Sequence, residues 1–179
     1  MGHQFKKTLN EDLGRKSVRE SQAGKKLPLV IVLDNVRSMH NVGSAFRTSD
    51  AFLVRKIYLT GITATPPHRD INKTALGATK SVDWEYVESP HLAVKRLKED
   101  GFIIVSVEQA EPHISLEKLT TRKNKKYCLV FGNEVYGVSD EVIGESDFCL
   151  EIPQSGTKHS LNISVSVGIV LWQFYNILR

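Results

Sequence analysis

From Leu29 onward, short apolar, β-branched runs alternate with longer stretches that repeat their apolar positions at helical spacing. The runs at residues 29–33, 56–60, 84–87, 102–107, 127–131 and 148–152 read as strands. Between them, residues 41–53 read as a helix. Ser89 is placed to cap another, with Pro90 at its first position, Glu99 near its end and Gly101 closing it. Ser139 opens a short turn of helix through Glu145, and a final helix covers residues 160–178. The strands are apolar almost without alternation, so both of their faces must be covered. Strand–helix alternation of this kind predicts an α/β domain, a mainly parallel sheet with helices on both faces. Upstream, residues 10–22 read as a short polar helix and residues 24–28 as a linker, which divides the chain into an N-terminal arm, 1–27, and a domain, 28–179.

Composition narrows the class. With 179 residues, 41% hydrophobic and 25% charged, one globular domain accounts for the chain. The apolar stretch over residues 163–178 is interrupted by Ser164, Ser166, Gln173 and Asn176, a poor bilayer span. No signal-peptide pattern is present, and a cytoplasmic protein is expected. Cys128 and Cys149 sit inside apolar runs and read as core residues. The net charge of +4 is carried by the arm, where Lys6, Lys7, Arg15, Lys16, Arg19, Lys25 and Lys26 face only Glu11, Asp12 and Glu20. Such an arm suits a polyanion or is a solvated tail.

In an open parallel sheet the ligand lies beyond the carboxyl ends of the strands. Four unusual segments fall there: residues 34–47, 106–108, 132–139 and 153–162. In the first, Asn41-Val42-Gly43-Ser44-Ala45-Phe46-Arg47 opens a helix; Gly43 permits close approach of another backbone, and the helix start offers N–H groups to an anion. Asn41 and Arg47 can face a phosphate or ribose from there, or Arg47 is a solvated surface charge. In Phe131-Gly132-Asn133-Glu134-Val135-Tyr136-Gly137, Glu134 either accepts hydrogen bonds and positions Arg47 or is an ordinary loop carboxylate. Neither a dinucleotide nor a P-loop fingerprint is present. In Ile152-Pro153-Gln154-Ser155-Gly156, followed by Ser160-Leu161-Asn162, the small polar residues cap the last helix or bind a ligand. His40 and His159 have no partners at metal-ligand spacing, so no metal is expected.

Taken in order, these segments resemble the three signature motifs of the SpoU/TrmH branch of the SPOUT methyltransferases. Asn41, Gly43 and Arg47 carry the first, the run 131–134 with Gly137 the second, and Ile152-Pro153, Gly156 and 160–162 the third. The resemblance implies a C-terminal trefoil knot, a homodimer using the final helix, and S-adenosylmethionine-dependent methylation of a ribose 2′-hydroxyl in tRNA or rRNA. It assigns catalytic or supporting roles to Arg47, Asn41, Glu134, Ser160 and Asn162. Ser106, Val107, Glu108, Gly132, Ile152, Gln154, Ser160 and Leu161 are expected to hold the cofactor. Arg47, Lys6, Lys7, Arg15, Lys16 and Lys158 are expected to contact RNA. Two other readings compete: a non-catalytic RNA-binding or chaperone module on the same fold, and a base-modifying SPOUT methyltransferase.

Overall fold

A computed structural model describes residues 5–14, 16–158 and 160–179; Arg15 and His159 lie outside the described residues. Seven strands form one sheet: β1 (Leu29–Asp34), β2 (Lys56–Thr60), β3 (Asp83–Val87), β4 (Phe102–Val107), β5 (His113–Ser115), β6 (Lys126–Phe131) and β7 (Phe148–Glu151). Their order is β3-β2-β1-β6-β4-β7-β5, and every pairing is parallel. The α-helices are α1 (Val18–Ala23), α2 (Met39–Ala51), α3 (Arg69–Ala75), α4 (Pro90–Glu99), α5 (Asp140–Glu145) and α6 (Ile163–Leu178).

The pleat divides β1 between two cores. Leu29, Ile31 and Leu33 face a large cluster built with Phe46 of α2, Ile71 of α3 and Val170, Leu171 and Phe174 of α6. Val30 and Val32 face a smaller cluster with Val94 and Leu97 of α4 and Val142 of α5. Covering on both faces is why the central strands read as unbroken apolar runs. Cys128 lies wholly inside the smaller core, and burial pushes its thiol pKa far up. The apolar setting of the cysteines therefore makes them packing residues.

Three differences from the pattern-based expectation have local causes. The arm does not form one helix over 10–22. A 3-10 turn at Asn10–Leu13 ends where Gly14 adopts a left-handed backbone (φ 56°), and α1 then begins anew at Ser17, whose side chain and that of Glu20 form a reciprocal capping box. The last helix starts at Ile163, because the Asn162 carboxamide oxygen accepts from Ser164 N (2.8 Å) and Oγ (2.6 Å). Helix α3 and strand β5 were not anticipated; each is seven residues or fewer and largely exposed.

Helices α2 and α3 meet backbone to backbone at Gly43. A methyl group there would overlap the Thr74 hydroxyl and the Ile71 carbonyl oxygen. The Thr74 hydroxyl donates to the His40 carbonyl (2.9 Å), locking the pair. Gly43→Ala gains about 1 kcal/mol of helix propensity at an unobstructed site. Here overpacking of about 1–3 kcal/mol against an immobile carbonyl outweighs that gain. Thermal unfolding followed by circular dichroism is expected to show Tm lowered by several degrees; an unchanged or raised Tm contradicts the close packing.

Candidate active site

Strands β4, β6 and β7 end beside one another, and the loops that follow them, with the start of α6, enclose a cleft of about 450 Å³. That size suits a small-molecule site. Val107, Phe131, Ile152, Leu161 and Ile163 supply apolar wall, and Glu108, Gln109, Gln154, Ser160 and Asn162 supply polar groups. Three of the four segments singled out in the sequence converge here; the segment 34–47 contributes no lining residue.

The loop after β6 is built before it can serve the cleft. Asn133 and Gly137 exchange backbone hydrogen bonds (2.9 Å each way), and the Asn133 carboxamide oxygen accepts from Val135 N (2.9 Å) and Tyr136 N (3.1 Å). Its amide nitrogen donates to the Asn35 carbonyl (2.7 Å) beyond β1. Gly137 takes a positive φ of 70°, and a side chain there would strike the Glu108 carboxylate. Gly132 packs with its α-carbon against the Gly137–Val138 peptide, leaving no room for a side chain. The buried Asp34 carboxylate accepts from both the backbone N–H and the hydroxyl of Ser139 (2.8 Å each), so Ser139 serves Asp34 instead of capping α5 with its side chain. Glu108 accepts from Val138 N (2.9 Å) and Gln109 N (2.9 Å).

Glu134 joins this loop to α2. Its carboxylate accepts from Arg37 N (2.9 Å), Ser38 N (3.0 Å) and the Asn41 side-chain amide (3.0 Å). The anion anticipated at the start of α2 is thus the chain's own carboxylate. Partial burial raises its pKa, but the donors Arg37 N–H, Asn41 and Ser38 N–H outweigh burial and hold it below the usual carboxylate range.

Among the expected catalytic residues, Glu134, Ser160 and Asn162 line the cleft, and Asn41 reaches it through Glu134. Arg47 does not: it is exposed on α2, and no hydrogen bond or ion pair joins it to Glu134, whose carboxylate instead accepts from the three donors at the helix start. Of the expected cofactor residues, Val107, Glu108, Gly132, Ile152, Gln154, Ser160 and Leu161 all line the cleft. Ser106 does not, being buried with its hydroxyl 2.7 Å from that of Ser146. Lys6, Lys7, Lys16 and Lys158 are exposed, and Arg15 is outside the described residues. Asp34 and Asn133 fall within the segments singled out in the sequence, where neither is assigned a role. The signal for Asp34 was a carboxylate closing an otherwise apolar strand.

One property of the rim points to a ligand. Gln154, Ser160 and Leu161, which line the cleft, donate no hydrogen bond to any described residue. Backbone polar groups left free at the edge of a mixed apolar and polar cleft are what an adenosine-sized molecule requires for recognition. No group of three or more possible metal ligands occurs among the described residues. No helix among them is long and apolar enough to cross a membrane.

The family model described as the SpoU rRNA Methylase family matches residues 28–172. A tRNA (guanosine(18)-2′-O)-methyltransferase of Aquifex aeolicus is 33% identical over 159 residues, 88% of this chain and 74% of that protein. A 23S rRNA (guanosine-2′-O-)-methyltransferase of Nitrosomonas europaea is 32% identical over 147 residues, 82% of this chain and 55% of the relative. The crystal structure of an A. aeolicus TrmH/SpoU tRNA modifying enzyme superposes with a TM-score of 0.79 at 29% identity, covering 89% of this chain and 80% of that one.

The depressed Glu134 pKa sets a sign for its contribution to stability. That contribution is present above the unfolded carboxylate value of about 4.3 and is lost as pH falls through the lower folded value. Glu134→Gln is expected to cost about 1–2 kcal/mol at neutral pH, the low end for charged hydrogen bonds because the side chain is exposed. Urea unfolding at pH 7 and near pH 3 is the check: the deficit shrinks at acid pH, whereas a pH-independent deficit would assign the effect to shape.

Proposed function

The chain belongs to the SpoU rRNA methylase family, and from that premise we propose that it methylates a ribose 2′-hydroxyl of tRNA or rRNA with S-adenosylmethionine as donor. The observation that carries the reading is the cleft at the ends of β4, β6 and β7, with its rim of unused backbone groups. Gly132, Ile152 and Leu161, with Val107, Glu108, Gln154 and Ser160, would hold the donor. When bound, the donor supplies an electrophilic methyl group on a sulfonium. The protein has to align the hydroxyl and manage one proton. Glu134 and Asn41 hold the start of α2, and Arg47 on that helix meets the target phosphate and steadies developing negative charge on the 2′-oxygen. A guanidinium does not readily give up its proton, so it serves as an electrostatic partner and not as a base.

Arg47 does not line the cleft of its own chain, so a homodimer belongs to the same proposal. Val165, Ile169 and Trp172 lie on one face of α6 and are 48%, 37% and 51% exposed. Because α6 packs on α2, pairing through this face can bring Arg47 of one copy towards the cleft of the other. The trefoil knot is part of the reading too, supported by the sheet order, in which the late strands β6 and β7 lie between earlier ones. A cytoplasmic location goes with the RNA substrate.

Transfer of radiolabel from S-adenosylmethionine to tRNA and, separately, to rRNA from cells lacking this protein tests the activity. A single 2′-O-methylated nucleotide is expected; label on a base would favour the base-modifying alternative. Arg47→Ala is expected to slow single-turnover transfer by about 100-fold or more, the scale for losing one preorganised electrostatic group, with donor affinity unchanged. A near-normal rate would remove Arg47 from the reaction. Trp172→Asp is expected to convert a dimer to a monomer in sedimentation velocity; an unchanged mass would exclude the α6 face as the interface.

A further inference from the structure

The amino edge of the sheet, opposite the cleft, carries a second concavity of about 740 Å³. Lys25 and Lys26 line it from the segment between α1 and β1, Arg55 from just before β2, Lys123 from just before β6 and Arg179 from the end of α6. Asp83 is the only carboxylate side chain in the lining, and the floor is apolar, with Leu27 and the Tyr175 ring. Among the described residues none of these five cations forms an ion pair with an Asp or Glu side chain. Lys26 Nζ donates to Ser21 Oγ (3.2 Å) and the Ser81 carbonyl (3.3 Å). Lys123 Nζ donates to the Arg179 backbone oxygen (3.0 Å), and the Arg179 guanidinium lies 5.3 Å from the Tyr175 ring centre. Outside the groove lining, Lys56, Lys73 and Lys98 are matched by Glu85, Asp70 and Glu145.

The sequence has the same bias at this edge. Arg122-Lys123-Asn124-Lys125-Lys126 places four cations in five residues, although residues 28–179 as a whole balance 17 basic residues with 17 acidic. A dense basic run beside a groove in which five cations face one carboxylate side chain is the footprint of a polyanion. Like charges gathered on a half-buried floor repel one another, and a bound phosphate chain removes that repulsion while releasing its own counterions.

We infer that this groove is an anchoring site for the phosphodiester backbone of the substrate RNA, separate from the methylation cleft. The inference rests on the reading of the protein as an RNA-modifying enzyme. Strands of six residues rise about 20 Å, so an RNA seated here reaches along the length of the strands to bring a ribose to the cleft. Lys25 and Lys26 enter from the basic arm, and Arg55, Lys123 and Arg179 complete the groove from the domain.

The test compares two triple variants that remove equal charge. Lys25→Gln/Arg55→Gln/Lys123→Gln neutralises the groove; Lys73→Gln/Lys95→Gln/Lys98→Gln neutralises exposed cations remote from it. Binding of unfractionated tRNA is measured across a range of salt concentrations, with donor affinity measured by calorimetry as the check on folding. For the groove variant, the slope of log affinity against log salt is expected to fall in magnitude by about 2–3, at roughly 0.7–0.9 per lost phosphate contact. KM for RNA rises, and donor affinity stays as in the parent. The remote variant keeps the parental slope. Equal losses in both variants would reduce the effect to net charge, and an unchanged slope in the groove variant would give the groove to another anion; either overturns the proposal. The binding slope needs no turnover, so absence of methyl transfer would sink the enzymatic reading while leaving the anchor to stand or fall on the slope.

Discussion

The Glu134 carboxylate is the contact through which the carboxyl edge of the sheet becomes a site. Loops that leave parallel strands have no ladder to hold them, and their backbone N–H groups must find other acceptors. In this protein three carboxylates provide them. Glu134 takes the N–H groups of Arg37 and Ser38, Asp34 takes that of Ser139, and Glu108 takes that of Val138. Each bond crosses from one strand's loop to another's, so the segments after β1, β4 and β6 are fixed relative to one another. The carboxamide of Asn133 adds the link from the β6 loop to Asn35. Because charged acceptors make stronger hydrogen bonds than neutral ones, the turn at residues 133–137 can be held firmly while Val135 and Tyr136 stay 64% and 84% exposed beside the cleft.

Legibility in the sequence followed burial. Strands covered on both faces read as continuous apolar runs, and the six expected from residues 29–33 onward appear within a residue or two of their bounds. Strand β5 is three residues with two exposed positions, and α3 buries only Ile71 and Ala75, so neither produces a period that rises above its surroundings. The arm misled for a different reason: polar residues over 10–22 are compatible with helix throughout, and only the left-handed Gly14 and the Ser17 cap divide it.

At the site, residue types were legible and partnerships were not. Seven of the eight residues expected around the cofactor line the cleft, because they cluster at strand ends that a parallel sheet brings together. Ser106 fails because alternation along β4 turns it away from Val107, into the buried layer with Ser146. The pairing of Glu134 with the start of α2, in place of Arg47, depends on the spacing between two loops 93 or more residues apart in sequence. No local pattern carries that distance.

A parallel sheet also separates its two edges, since every strand starts at one and ends at the other. The loops at the carboxyl edge are tied by carboxylates to backbone donors, which concentrates acidic side chains there and commits them to structure. Cations gathered on that edge would compete for the same carboxylates and loosen the loops that form the cleft. At the amino edge Asp147 accepts from Ile104 N (2.7 Å), but the groove lined by Lys25, Lys26, Arg55, Lys123 and Arg179 has Asp83 as its one carboxylate side chain, so cations gather there without disturbing the cleft. Attraction of a polyanion and construction of a cleft are then demands on opposite ends of the same strands. A domain whose overall charge is balanced can meet both by gathering cations in one groove at the far edge.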